Sequence, residues 1–418
     1  MKTEGFVKTE GFVKTEKSTN APPARRPADH SPDHSRDRTT RSRAVGGEAC
    51  RRVTVSGAFI VAYHLGLLIG LPFYFWLHPP GATLIVASVV VLFLSLIGIT
   101  AAYHRFYSHR GYVLHPAAEA VLLFLGTVAL QGSALRWSFD HRLHHAYVDT
   151  DRDPYSIKKG FWYAHVLWMF QPAQEIDERR VKDLVKNRLV MFQHRHYGLI
   201  AGVANLLVVA AVGWLVADWI GAVVLAGWTR LGVGHHLTWF INSLAHTWGE
   251  RTYSKEHSAV DNHLLALITV GEGFHNYHHT FPSDYRNGVR WYQFDPTKWT
   301  IWTLSKLGLA SNLRRHSLPS IRKRLLVEDR KLLLGALDSG AWAARREELE
   351  HTIHRLSDSI HEQLDRLGEL RAKLAQRSGG RAAHQAVRQE IRRIKANLKR
   401  DWEAWFQLCG AVLEPAPA

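Results

Sequence analysis

Cysteine is almost absent from this chain of 418 residues, and its scarcity excludes several kinds of site. Only Cys50 and Cys409 occur, so there is no disulfide framework and no CxxC pair for zinc, rubredoxin-type iron or an iron–sulfur cluster. An Asn-x-Ser/Thr sequon is also lacking, and no apolar run lies near Met1, which argues against a cleaved signal peptide. Any electrons that the protein uses must come from an external donor.

Basic residues outnumber acidic ones, 53 to 37, and the formal net charge is +16. They are spread over tails and loops beside apolar segments, which favours a membrane surface or an anionic substrate over nucleic acid as the partner. The first 52 residues contain KTEGFV twice and are rich in Pro, Arg, Asp and Ser. We predict a disordered basic tail over residues 1–52, and the short repeat predicts no solenoid.

Four apolar segments are long enough to cross a bilayer as helices. They form two hairpins, which run over residues 54–77 and 83–103, and over about 198–217 and 219–241. The short connections lack Lys and Arg, whereas the long segments contain many, which predicts both termini in the cytoplasm. Arg230 lies near mid-depth of the fourth span, where it either faces the bundle interior or snorkels to the surface from a tilted helix.

Three histidine clusters follow these spans with the spacings HxxxxH, HxxHH and HxxHH. Residues three and four apart converge on one helix face, whereas residues five apart point about 140° away from each other, so the first cluster requires its helix to end or bend. Eight imidazoles can hold two ions, and iron, zinc and copper all accept this ligand. The eight are His104, His109, His141, His144, His145, His275, His278 and His279.

A further candidate ligand follows the fourth span in Asn242-Ser-Leu-Ala-His246. The two polar residues lie one helical turn apart on the side of the membrane where the clusters lie. We expect His246 to bind metal and Asn242 to bind through a water.

The chain resembles the integral-membrane fatty acid desaturases, specifically the acyl-CoA Δ9 (stearoyl-CoA-like) branch. The resemblance rests on HRFYSHRGY, on DHRLHHAYVDTDRDPYSIKKGFWYAHVLW, on TWFINSLAH and on GEGFHNYHHTFPSDYRNG, and it covers roughly residues 54–310. It implies an all-α membrane protein with four transmembrane helices under a cytosolic helical cap. The implied ligands of a di-iron centre are His104, His109, His141, His144, His145, His246, His275, His278 and His279, with Asn242 acting through water.

The resemblance also implies the chemistry, which is O2-dependent insertion of a cis double bond into a saturated acyl chain. Acyl-CoA is the expected substrate, ahead of a carrier-protein thioester or a lipid. No HPGG haem motif is present, so electrons would come from a separate ferredoxin, rubredoxin or cytochrome b5-like donor with its reductase. We expect a bacterial cytoplasmic membrane rather than the endoplasmic reticulum.

Several residues are expected around the centre. Leu92 and Leu96 precede His104 by multiples of four and are placed to line the acyl tunnel or, alternatively, to face lipid. A basic patch for the CoA phosphates comprises Lys158, Lys159, Arg136 and Arg152, although exposed lysines are often only solvated. Supporting roles are expected for Asp140, His165 and Glu272. The other histidines, including His194, His235, His236, His257 and His263, have no counterpart in the ligand pattern and are expected at the surface or around the site.

The C-terminal third differs from the rest of the chain in composition. Apolar residues recur every three or four positions from Leu349 to Leu374 and from Val387 to Trp405, with Ser378-Gly-Gly between them, which predicts an antiparallel helical hairpin. It could dock an electron donor, mediate self-association or pack on the cap. The predicted divisions are a tail (1–52), a membrane and cap domain (53–318), a hairpin (319–410) and a short tail (411–418).

Two rival functions share some of these features. A membrane di-iron hydroxylase of alkanes or lipids would have a similar histidine-rich centre, but alkane hydroxylases carry an extra residue in the second cluster. A histidine-rich membrane metal carrier would place its ligands at mid-membrane, whereas these lie at the ends of the spans.

Overall fold

The protein is mostly helical in a computed structural model that describes residues 45–338, 340–376 and 380–413. Residues 1–44 and 414–418 lie outside the described residues, so most of the tail predicted over residues 1–52 is not covered. The first helix begins at Val45, inside that predicted tail. The α-helices are α1 (Val45–Leu77), α2 (Ala82–Ile97), α3 (Pro116–Val128), α4 (Ala134–Tyr147), α5 (Phe161–His165), α6 (Lys182–Val185), α7 (Arg188–Arg195), α8 (Tyr197–Val216), α9 (Trp219–Gly221), α10 (Arg230–Ser243), α11 (His263–Ile268), α12 (His275–Thr280), α13 (Pro296–Lys306), α14 (Leu318–Ala336), α15 (Arg346–Ala375) and α16 (Arg381–Leu413).

Shorter elements connect these helices. Two π-helical segments, Gly98–Ser108 and Ala222–Thr229, continue α2 and join α9 to α10. Short 3-10 helices lie at Ile157–Lys159, Leu167–Phe170, Glu178–Val181, Leu244–His246 and Gly340–Arg345. The strands β1 (Val113–Leu114) and β2 (Ala310–Ser311) pair antiparallel, with Val113 opposite Ser311.

Three helical segments of the described chain are long and apolar enough to cross a membrane: Gly57–Leu77, Ala82–Ser108 and Tyr197–Val216. Their large apolar side chains are widely exposed, as expected of a surface in contact with lipid. The fourth predicted span is helical from Trp219 to Ser243, but it contains Arg230 and two adjacent histidines, which lower its hydropathy. The count of four spans therefore stays a prediction.

Arg230 faces the interior, which decides between the two interpretations of its position. The residue is 3% exposed, and its guanidinium donates to the carbonyls of Ala226 and Val128 and to Asn205 Oδ1. A charge at this depth is costly unless its donors are bonded, and here they are. Arg230 thereby ties α10 to α3 and α8.

The first π-helical segment brings α3 unusually close. A Cβ atom on Gly98 would lie 2.2 Å from the backbone nitrogen of Gly126, and one on Gly126 would lie 2.5 Å from the ring of Tyr103. Both positions therefore require glycine for steric reasons. The same segment and α4 share the main buried core, to which Tyr103, Phe139 and Ile301 belong.

The C-terminal region contains three packed helices instead of the predicted two. Buried apolar residues of α15, among them Ile353, Ile360 and Leu364, share one core with Leu333 of α14 and Trp405 of α16. The hairpin prediction omitted α14 because its segment is interrupted by charges. This helix also contacts the region of the third histidine motif, since Ile321 packs with Tyr277 and Phe281.

Candidate metal centre

All nine predicted histidines lie together in two adjoining clusters. Within each cluster the candidate donor nitrogens are within 4.8 Å of one another. The first cluster contains His104, His109, His141, His145 and His278, and the second contains His144, His246, His275 and His279. All three histidine motifs of the sequence thus contribute to the first spatial cluster, and the two HxxHH motifs also contribute to the second.

Local backbone structure explains how each element presents its imidazoles. The helix that carries His104 ends between the two histidines, as expected. It is a π-helix whose last residue is Ser108, and His109 is the capping residue that follows, with its amide donating to the His104 carbonyl at 3.2 Å. Hydrogen bonds between residues five apart bring these side chains to one side, and their ring centroids are 5.0 Å apart. Ser133 precedes helix α4 as its N-cap residue, and its hydroxyl accepts from the amide of Arg136.

The Nε2 atoms point at each other within both clusters. In the first, His104 to His278, His109 to His141 and His145 to His278 measure 2.8 to 2.9 Å. In the second, His144 to His279, His246 to His275 and His275 to His279 measure 3.1 to 3.2 Å. Nitrogens bound at about 2.1 Å to one ion and at right angles to each other would lie about 3.0 Å apart. The residues present therefore fit one transition-metal ion in each cluster.

Carboxylates and a hydroxyl orient three of the rings through Nδ1. His104 donates to Glu272 Oε2 at 2.7 Å, and Nδ1 of His144 lies 3.0 Å from both carboxylate oxygens of Asp153. His246 lies 2.7 Å from the hydroxyl of Ser258, which in turn donates to Asp149. With the proton on Nδ1, the Nε2 lone pair is free to face the cluster.

The clusters are strongly desolvated, which matters for their charge. Burial, reinforced by neighbouring imidazoles, holds the pKa values of six rings outside the apolar spans well below the ordinary value. These rings are His141, His145, His246, His275, His278 and His279. Neutral imidazole is the form that binds metal.

Of the three expected supporting residues, only Glu272 contacts a cluster. It is 1% exposed and also accepts from Arg105 at 2.8 Å. Asp140 instead pairs with Arg136 at 3.0 Å, and burial raises its pKa to about 6. His165 bonds to His236 and Ser243, not to a ligand ring.

Sequence reasoning missed Asp153 and Ser258 as partners of ligand rings, and Asp149 as the partner of Ser258. A signal for the two aspartates was present, because three aspartates follow the second histidine cluster directly in Asp149-Thr-Asp151-Arg-Asp153. Ser258 had no such signal, since its segment is far from the clusters in sequence.

A cavity of about 650 Å³ opens beside the clusters. Its wall includes four candidate ligands, His104, His141, His144 and His275, together with Asn242. Leu96 lines the cavity, but Leu92 is not among the lining residues and packs on the main core beside Gly234. Of the expected basic patch, Arg136 and Lys159 line the cavity, whereas Arg152 and Lys158 are exposed and do not.

The chain matches known proteins over this same region. A sequence profile for the fatty acid desaturase family matches residues 80–311, more than half of the chain. Over 277 residues it is 43% identical to a probable acyl-CoA desaturase of Schizosaccharomyces pombe, covering 65% of this chain and 58% of that protein. It is 39% identical over 238 residues to acyl-CoA desaturase 1 of Saccharomyces cerevisiae, covering 56% and 47%. It is 36% identical over 239 residues to stearoyl-CoA desaturase 5 of Bos taurus, covering 55% and 71%.

The described chain combines apolar helices long enough to span a bilayer with two histidine clusters, to which the end of the helix Ala82–Ser108 contributes. These features define the class as helical integral-membrane proteins with a histidine-rich centre. Within that class, the chain belongs to the fatty acid desaturase family. It spans about half the length of the two yeast relatives.

Proposed function

We propose that the protein is an O2-dependent acyl desaturase that introduces a cis double bond, at Δ9, into a saturated acyl-CoA. The observation that carries this proposal is the position of the two imidazole clusters at the wall of a partly apolar cavity. Both fungal relatives are named acyl-CoA desaturases, which supports the substrate class. All three relatives are eukaryotic, so they lend no support to the bacterial membrane that we expected.

The nine histidines would hold two iron ions, five rings on one and four on the other, with Asn242 acting on the cavity side through a water. Once loaded, the ions would supply the oxidising power that an unactivated methylene requires, because such a carbon has no proton that a side-chain base can remove. The overall reaction converts the saturated chain, O2, two electrons and two protons into the alkene and two waters. An external redox protein would provide the electrons.

The chain's own residues would bind and orient the substrate. Leu96 lies in the cavity wall on the same helix as His104, separated by two helical turns, so it can limit how far an acyl chain extends past the centre. At the polar part of the wall, Lys159 and Arg136 offer positive charge to the phosphates of CoA. For the membrane topology we propose four transmembrane helices with both termini in the cytoplasm.

Product analysis tests the proposal directly. The full chain, loaded with ferrous iron, is incubated with stearoyl-CoA, O2 and a reductase and donor pair, and the products are analysed by mass spectrometry with localisation of the double bond. We expect an alkene at Δ9 and its loss in His144→Ala, whereas His263→Ala, which removes an exposed histidine, should retain activity. An alcohol product would indicate a hydroxylase, and product formation without iron would refute the centre.

A further inference from the structure

A second cavity, of about 320 Å³, lies where α7 meets α8, a helix long and apolar enough to cross a membrane. It shares no lining residue with the cavity beside the histidine clusters. Four exposed basic side chains line it, those of Lys186, Arg188, Arg195 and His196. The other lining residues are apolar: Val185, Met191 and Phe192. The cavity therefore combines positive charge with apolar surface at the end of a membrane helix.

The four basic residues have no carboxylate partner among the residues that the structure describes. The acidic groups close to them in the fold are bound elsewhere. Asp183, on α6, pairs with Arg110 at 2.9 Å and with Arg142 at 2.8 Å. Glu119 accepts from the side-chain amide of Asn187, the N-cap residue of α7, at 2.6 Å. Like charges that are gathered without a counter-charge repel each other, and an anion bound among them would relieve that repulsion.

Helical spacing joins this basic cavity to an apolar stripe on the membrane helix. Arg188, Phe192 and Arg195 lie at positions i, i+4 and i+7 and share one face of α7. The amide of His196 donates to the Phe192 carbonyl at 3.2 Å, and the amide of Ile200 donates to the His196 carbonyl at 3.0 Å, so the four-residue spacing continues into α8. Large exposed apolar residues follow Arg195 at the same spacing: Leu199, Val203 and Leu206.

The aromatic ring between the two arginines fits the same location. Phe192 is 61% exposed, and its ring centroid is 5.0 Å from that of His196, the residue directly before α8. A large exposed apolar ring beside cations is unfavourable in water, but it suits the boundary between lipid headgroups and acyl chains, where apolar and charged groups meet.

We propose that this cavity binds one anionic phospholipid. Its headgroup phosphate lies among Lys186, Arg188 and Arg195, because guanidinium groups match phosphate oxygens with paired hydrogen bonds. Its acyl chains lie along the exposed stripe of α8. Basic pockets at the cytoplasmic ends of membrane helices bind anionic headgroups in this way. The stripe selects a lipid over a free phosphate ion, which has no use for apolar surface. This inference goes beyond the proposed desaturation and requires only that α8 crosses the membrane.

Native mass spectrometry tests the proposal by counting the lipids that the full, iron-loaded chain retains in detergent during titration with phosphatidylglycerol or phosphatidylcholine. We expect one phosphatidylglycerol to bind more tightly than any phosphatidylcholine. The double variant Arg188→Gln/Arg195→Gln should bind that lipid at least about tenfold more weakly, since each basic residue near an anionic headgroup contributes to the affinity. The matched control is Arg179→Gln/Lys182→Gln, which removes two exposed charges of the same segment outside the cavity and should change the affinity less than about twofold.

A second double variant, Lys186→Gln/Arg195→Gln, leaves the start of α7 unchanged in case the first does not fold, and it should lose affinity to a similar extent. Equal affinity for the two lipids, or equal weakening in the control, would overturn the assignment by showing that the charges act only as a diffuse field. Displacement of phosphatidylglycerol by inorganic phosphate at equal concentration would overturn the lipid as the ligand. Because binding is counted without turnover, a failure to desaturate stearoyl-CoA would not alter any of these results.

Discussion

Replacing Asp153 by Asn tests how strongly a single carboxylate controls the second cluster. Asp153 is 1% exposed, and its two oxygens lie 3.0 Å from Nδ1 of His144. They also accept from the amides of Asp149 and Tyr155 at 3.3 and 3.1 Å. Asparagine keeps the size and one acceptor oxygen, but it loses the negative charge that makes the His144 ring a stronger ligand.

The expected loss falls on metal affinity more than on folding. Removing a partner of this kind typically costs 10- to 100-fold in metal affinity, which corresponds to about 1.4 to 2.7 kcal/mol. The fold should lose about one hydrogen bond to the backbone, roughly 0.5 to 1.5 kcal/mol. We therefore expect an Asp153→Asn protein that folds and keeps the ion of the first cluster while it binds the other ion more weakly.

The assay is a titration of the metal-free protein with ferrous iron under anaerobic conditions, followed by calorimetry or by competition with a chelator. Two binding steps are expected, and only one of them should weaken. Asp177→Asn is the matched control, because Asp177 pairs with Arg179 at the protein surface and does not contact either cluster. Equal weakening of both steps, or no weakening of either, would show that Asp153 does not act through His144.

Three further predictions concern the cavity and the membrane helices. Leu96→Ala should lengthen the preferred acyl chain by about two or three carbons, which would fill the volume of the lost side-chain atoms. Leu92→Ala should leave the preferred length unchanged, and product lengths from a panel of acyl-CoA substrates check both. Lys159→Glu should raise KM for acyl-CoA several-fold, on the order of 1 kcal/mol, whereas Lys158→Glu should leave it nearly unchanged; equal effects would refute a specific role for Lys159. Arg230→Lys keeps the charge but cannot bond all three acceptors, so we expect the free energy of unfolding to fall by about 3 to 6 kcal/mol, measured by thermal unfolding in detergent. An unchanged unfolding midpoint would contradict the role assigned to the guanidinium.

The candidate ligands could be predicted because their spacing has a direct geometric meaning. In HxxHH, residues four apart share a helix face whatever surrounds the helix, and in both copies of the motif this pair lies in one cluster, His141 with His145 and His275 with His279. The histidine three positions on lies in the other cluster, which the expectation of one shared face did not include. The partners of those rings could be predicted only where they lie close in sequence. Glu272 is three residues from His275, yet the structure shows that it orients His104, on a different element.

The rest depended on tertiary contacts that no local pattern encodes. Ser258 orients His246 because the chain after α10 folds back toward that histidine. Helix α14 belongs with the C-terminal helices because it shares their buried core. The position of Arg230 was ambiguous for the same reason, since only the carbonyl of Val128 and the amide of Asn205 decide it. Leu92 and Leu96 lie on one helix, and only the neighbouring helices determine which of them meets the cavity.

The π-helical segment has a consequence for how the first histidine motif is recognised in any sequence. On an α-helical wheel His104 and His109 fall on opposite sides, and the pair would be dismissed as unable to share an ion. In a π-helix the hydrogen bonds join residues five apart, and this interval links His104 to His109 at the C-terminal end of the segment, so the motif reports helix type as well as ligand identity. Deleting one residue between the two histidines would place them four apart, so that an ordinary α-helix could keep both rings on one face. We therefore expect the protein to tolerate a one-residue deletion between His104 and His109 better than a one-residue insertion.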